Sequence, residues 1–187
     1  MKLNHPKLVK LLQKAYSAEK AAAFAYIGHA RSVKTNLEKI AIKQIEEDEW
    51  EHRSEVLLIM EKYDIPISKL YEFQFHIIGR VISGFCFVLG WFMPHFFAGR
   101  LESGNVCEYF IIMHYFQSIG INEHDKVLFE MGVKEKEHEV YFLNQIKDSK
   151  LLPFFKMFGW EDETSFNDID YSNIESVKDS TNYCRNK

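Results

Sequence analysis

One spacing occurs twice in this chain and limits what it can fold into. Glu19 lies thirty positions before Glu49 of Glu49-Trp50-Glu51-His52, and Glu108 lies twenty-seven before Glu135 of Glu135-Lys136-Glu137-His138. In a helix, positions i and i+3 share a face about 4.5 Å apart along the axis, so Glu and His at that spacing can approach one metal pair. A lone Glu about thirty residues upstream comes level with them if the chain reverses midway. A carboxylate on one helix and Glu-x-x-His on the next, repeated, is a donor pattern for two iron or manganese ions in a four-helix bundle. One Glu-x-x-His carries little weight in a Glu-rich chain. Two, each with its upstream Glu, are far more specific.

Local signals fit two antiparallel hairpins. Pro6 suits a first helical turn, and Leu8, Leu11, Leu12, Ala15, Ala22, Ala23 and Tyr26 keep helical period after it. That helix is expected to reach about Val33, with a short capped turn at Lys34-Thr35-Asn36. The next carries Ile40, Ile45, Glu49, His52, Val56 and Ile59 and ends near Tyr63-Asp64-Ile65-Pro66. In the second hairpin a helix from near Leu101 to Ile119 leads to Gly120-Ile121-Asn122, where Asn122 and Asp125 resemble a capping box. Counted from that turn, Glu108 and Glu135 come level. Glu102 is the rival ligand, but it would overshoot by about 9 Å and sits about 120° round the helix from Glu108. The spacing therefore favours Glu108.

Between the hairpins, Val81 to Ala98 reads VISGFCFVLGWFMPHFFA, with no acid, lysine or arginine, and Pro94 interrupts it. It has three readings: a buried crossover helix, an apolar surface dipping into a membrane interface, or, least favoured, a transmembrane span. The expected architecture is all-α: a ferritin-like four-helix bundle over residues 1–158, with an apolar helical crossover at about 64–98. Residues 159–187 are acidic and polar and are expected to be a poorly ordered tail.

Composition removes other classes. The net charge of −4 argues against nucleic acid. Cys86, Cys107 and Cys184 form no C-x-x-C pair, which excludes a rubredoxin-type iron site or zinc ribbon and fits a reducing compartment. Met1 to Pro6 runs into a helix without an apolar signal segment, so a cytoplasmic location is the expectation, peripheral on a membrane if the apolar stretch docks there.

Glu19 and Glu108 fall among apolar residues, an expensive place for an acid unless paired or metal-bound. Glu46, Glu47, Glu51, Glu55, Glu137 and Glu139 read as solvated faces. Asp48 reads as a surface acid or as an acceptor for a ligand histidine. His29, His76, His95, His114 and His124 lack a partner at ligand spacing. Tyr26 and Tyr115 each follow an upstream Glu by seven residues; they are core residues or hydrogen-bonding phenols beside the metal, and are the candidate catalytic residues. Four carboxylates and two imidazoles favour iron or manganese. Glu49 and Glu135 would bridge two Fe(II) ions, with Glu19 and Glu108 terminal.

The stretches AEKAAAFAYIGHARSV and QIEEDEWEHRSEVLLIM resemble the demethoxyubiquinone hydroxylase family, through Glu19, Tyr26, Gly28, Glu49 and His52. NVCEYFIIMHYFQSI and KEKEHEVYF resemble its second half, through Glu108, Tyr115, Glu135 and His138. The resemblance implies an O2-dependent di-iron monooxygenase acting on an apolar, quinone-like substrate, with an electron donor and peripheral membrane contact. It also implies Glu19, Glu49, His52, Glu108, Glu135 and His138 as iron ligands. A homodimer is compatible with this. The acidic tail and the shorter spacing from Glu108 to Glu135 depart from the family. A ferroxidase or a rubrerythrin-like peroxide reductase is the competing reading, and a metal-free helical scaffold the third.

Overall fold

The computed structural model describes residues 3–156, so the expected tail lies outside the described residues. Among these the chain is all-helical, with no strand. The helices are α1 (Pro6–Ser32), α2 (Asn36–Lys62), α3 (Lys69–Phe85), α4 (Phe92–Ser118), α5 (Asp125–Ile146) and α6 (Leu152–Lys156). They divide into two compact units, one ending at Pro94 and the other beginning at His95.

In the first unit the helix ends follow local chemistry. His5 Nδ1 accepts from the Leu8 amide at 3.0 Å, and Pro6 opens α1. Thr35 caps α2 through a reciprocal box with Glu38; Glu38 also accepts from the Trp91 indole, which ties residues 86–91 to the α1–α2 turn. Asp64, with φ of 56°, reverses the chain after α2. Arg53 meeting Tyr16, and Phe24 meeting Trp50, make α1 and α2 antiparallel. Lys20 with Glu72, and Phe24 with His76, make α3 parallel to α1.

Helix α1 packs on both α2 and α3, and glycine allows the second contact. A Cβ on Gly28 would lie 2.3 Å from the Ser83 carbonyl oxygen, and one on Gly79 would lie 2.6 Å from that of Ala21. The two backbones touch where neither helix can carry a side chain.

The apolar stretch differs from the buried crossover. It comprises the end of α3, a turn and the start of α4, and in α3 only Gly79 is buried. Leu70, Phe73, Ile77, Val81 and Phe85 are exposed, Phe73 at 66%, and Val88 in the turn reaches 77%. No helix among the described residues is long and apolar enough to cross a membrane. Cys86 lies buried at the end of α3, and burial pushes its thiol up to about 11, so it packs as a small apolar side chain.

In the second unit α4 and α5 are antiparallel. Gln117 donates to Asp125 at 2.8 Å near the turn, and His95 meets Phe142 edge-on at the other end. Between them a Cβ on Gly132 would meet the Phe110 ring. Two boundaries depart from expectation. Helix α4 starts nine residues before Leu101, because Pro94 falls in its first turn, where a missing N–H costs nothing. Helix α5 starts at Asp125 with His124 as N-cap and no side-chain cap, so the expected Asn122–Asp125 capping box is absent.

Candidate metal centre

Each unit gathers a Glu, a Glu-x-x-His glutamate and its histidine. In the first, α1 supplies Glu19 and α2 supplies Glu49 and His52. One ligand atom from each lies within 4.8 Å of the others. All three residues are buried, Glu49 completely. The i,i+3 spacing puts Glu49 and His52 on the face of α2 that also carries Ile42, Ile45, Val56 and Ile59, so apolar packing directs these polar side chains inward.

In the second unit α4 supplies Glu102 and α5 supplies Glu135 and His138, again with ligand atoms within 4.8 Å of one another. Glu102 and Glu135 are completely buried, and His138 Nδ1 lies 3.8 Å from Glu135 Oε2. Asn105, one turn after Glu102, donates to Glu102 Oε2 at 3.0 Å and to Glu135 Oε2 at 3.5 Å. Burial pushes the Glu102 carboxyl well above the usual carboxylate range, and the neighbouring negative charge of Glu135 pushes it further.

The carboxylate of α4 that joins this group is Glu102, whereas the sequence spacing favours Glu108. Glu108 is half-buried and lies outside the group. The sequence reading uses both level along the helix and face. Level is forgiving, because two long glutamate side chains can span a helical turn. Face is not, because a rotation of about 120° aims a side chain at different neighbours. A signal was present in the sequence: after Glu72, Glu102 is the first acid, ending a run from 73 to 101 without one. An acid that close to an apolar run is a candidate for burial with a purpose.

Of the other candidates, Tyr26 is buried, its ring stacked near that of His29 at 6.4 Å between centroids. Tyr115 is half-buried. Asp48 accepts from Gln44 one turn away, at 3.0 Å. Glu139 is buried rather than solvated, in an ion pair with Lys136 at 3.0 Å. His29, His95 and His124 are also buried.

Each triad of carboxylates and imidazole could hold a metal ion. The donors are hard oxygens with one nitrogen per unit, which suits Fe(II) or Mn(II) better than a thiolate-seeking ion. A cation would also relieve the crowding of buried carboxylates seen at Glu102 and Glu135. No protein-family model, curated protein or solved structure matches the chain.

Proposed function

We propose that the two triads bind the metal ions of a ferritin-like di-iron protein, and that the chain is an O2-dependent monooxygenase. Glu19, Glu49, His52, Glu102, Glu135 and His138 are its ligands in this reading. The observation that carries it is the repeated buried triad, one per unit, with matching residue types and ligand atoms within 4.8 Å. When bound, a pair of Fe(II) ions supplies two electrons to O2 and accepts two back from an external donor. With such a pair held by these residues, one oxygen atom would enter a C–H bond of the substrate and the other would leave as water, with two protons taken up.

The protein's own contribution is placement and exclusion of water. Asn105 holds Glu102 and Glu135 by their carboxylate oxygens, so both stay oriented before metal arrives. Complete burial of Glu49, Glu102 and Glu135 keeps bulk water from competing for the ions. The exposed apolar face of α3 and the following turn supports an apolar, quinone-like substrate drawn from a membrane surface. The sequence resemblance to demethoxyubiquinone hydroxylases points to the same class.

The test is an assay with iron-loaded protein, a reductant, labelled O2 and a demethoxyquinone in detergent or vesicles. Label in the quinone product supports the hydroxylase. Rapid Fe(II) oxidation with mineral growth and no labelled product would support the ferroxidase reading instead.

A further inference from the structure

Ligand atoms within 4.8 Å on α1 and α2 require these helices to stay in axial register. The middle of α1 is alanine-rich, with Ala21, Ala22, Ala23 and Ala25 all buried. Ala21 lies against Gly79 of α3, and Phe24 meets Trp50 of α2.

A polar contact joins the same helices beside the ligands. The Arg53 guanidinium on α2 donates to the main-chain carbonyl of Tyr16 on α1 and lies 3.6 Å from the centre of the Tyr16 ring. It also makes a two-pronged pair with Glu72 on α3, Nη1 to Oε1 at 3.1 Å and Nη2 to Oε2 at 3.0 Å. Lys20 on α1 donates to the same Glu72 at 3.0 Å. All three charged side chains are at most one-fifth exposed, so water screens them less than an ordinary surface pair. The placement is specific. Arg53 directly follows His52, Lys20 directly follows Glu19, and Tyr16 lies one turn before Glu19.

We infer that Arg53 and Glu72 are positioning residues for the first triad: their clasp holds α1 in register with α2, and so holds Glu19 beside Glu49 and His52. The inference rests on the reading that this triad binds metal. The clasp acts through the helices that carry the ligands. The planar fork of arginine is essential, since it meets a carboxylate, a carbonyl and a ring together, which a lysine ammonium cannot do.

The test is Co2+ titration of the full chain, following both affinity and the visible absorption of bound Co2+. Arg53→Gln is expected to weaken binding by about 10- to 100-fold, the range for residues that orient ligands, and to alter the spectrum while helical circular dichroism is kept. Arg53→Lys should fail to restore either property. Glu72→Gln should act in the same direction with a smaller effect, and Lys20→Met, which leaves the Arg53–Glu72 pair, should have the least. Leu8→Ala is the control for loss of stability alone, because Leu8 is fully buried in the first turns of α1. A spectrum shifted as much by Leu8→Ala as by Arg53→Gln would overturn the positioning role. So would binding that disappears in Glu49→Ala but is indifferent to Arg53→Gln and Glu72→Gln. Co2+ binding that survives Glu49→Ala combined with Glu135→Ala would remove the metal reading, and the clasp's role with it.

Discussion

The two units solve one problem with different materials. Each must hold an isolated glutamate beside a Glu-x-x-His on the neighbouring helix, with ligand atoms within 4.8 Å. The first does so with backbone contact and ion pairs: Gly28 and Gly79 bring α1 against α3, and Arg53, Glu72 and Lys20 link three helices. The second uses an aromatic and amide interior: Phe110 lies over Gly132 and is stacked near Phe129, and Asn105 reaches Glu102 and Glu135. The same donor geometry can thus be imposed by charge between helices or by packing and one neutral amide. The difference predicts that the units fail differently when disturbed.

The largest effect expected is on metal affinity in the second unit. Glu102→Ala should weaken Fe(II) or Co2+ binding on the order of 1,000-fold, one ligand's share of a binding free energy of roughly 10–16 kcal/mol. Glu108→Ala should change it by less than about threefold, within the range of an ordinary partly exposed substitution. Equal losses in the two variants, by isothermal titration, would reverse the assignment of the fourth carboxylate.

Next in size is a pair of glycine substitutions read by chemical denaturation. Gly28→Ala drives a methyl into the Ser83 backbone, which cannot move aside, and should cost about 3 kcal/mol. Gly132→Ala meets the edge of the Phe110 ring, a side chain that can tilt, and should cost about 1 kcal/mol. The reverse order would show that α1 and α3 are not held by backbone contact.

The ion pairs come third. Glu72→Gln should cost about 1–2 kcal/mol at neutral pH, as a partly shielded two-pronged pair. Burial tends to raise the Glu72 carboxyl, but the hydrogen bonds from Arg53 and Lys20 outweigh it and hold the carboxyl below its ordinary value. Its folded value is therefore depressed. Its stabilisation is full above the unfolded-state value and is lost as pH falls through the folded one. The gap between wild type and Glu72→Gln should close over that acid window. Glu102 has the opposite sign: its value is raised, so in metal-free protein its contribution is present at low pH and lost as pH rises through the folded value. A gap between wild type and Glu72→Gln that widened with acidification would refute the clasp as an electrostatic device.

The smallest effect on stability is expected on the exposed face of α3. Phe73→Ser with Phe85→Ser should shift the unfolding free energy by less than about 0.5 kcal/mol per site, since both residues are more than half exposed. The same variant should lose binding to phosphatidylglycerol-rich vesicles in a flotation assay. Unchanged flotation would remove the membrane surface as the source of substrate.

The first unit was more legible in the sequence than the second, for physical reasons. Its helix ends carry local signals, Pro6 at one and Thr35 with Glu38 at the next. Glu19, Glu49 and His52 lie on helices joined by a three-residue link, so counting from the turn fixes their level closely. In the second unit six residues join α4 to α5, and the cap is His124, which makes no side-chain cap bond. The turn thus gave no firm origin from which to count. Pro94 read as a break, although it lies in a first helical turn where proline is tolerated. Burial of Glu139 in its pair with Lys136 also left no mark in the spacing, because i,i+3 charge pairs are as common on solvated faces. Both Glu-x-x-His motifs lie in buried groups of carboxylate and imidazole, and on α4 the carboxylate that joins them is Glu102.

The central proposal is that the repeated triads bind metal. Metal content per chain, by plasma mass spectrometry after anaerobic loading with Fe(II), tests it most directly in wild type, Glu49→Ala and Glu135→Ala. About two irons per chain are expected in wild type, with iron lost in either variant. No retained iron in wild type, or wild-type iron content in both variants, would contradict it.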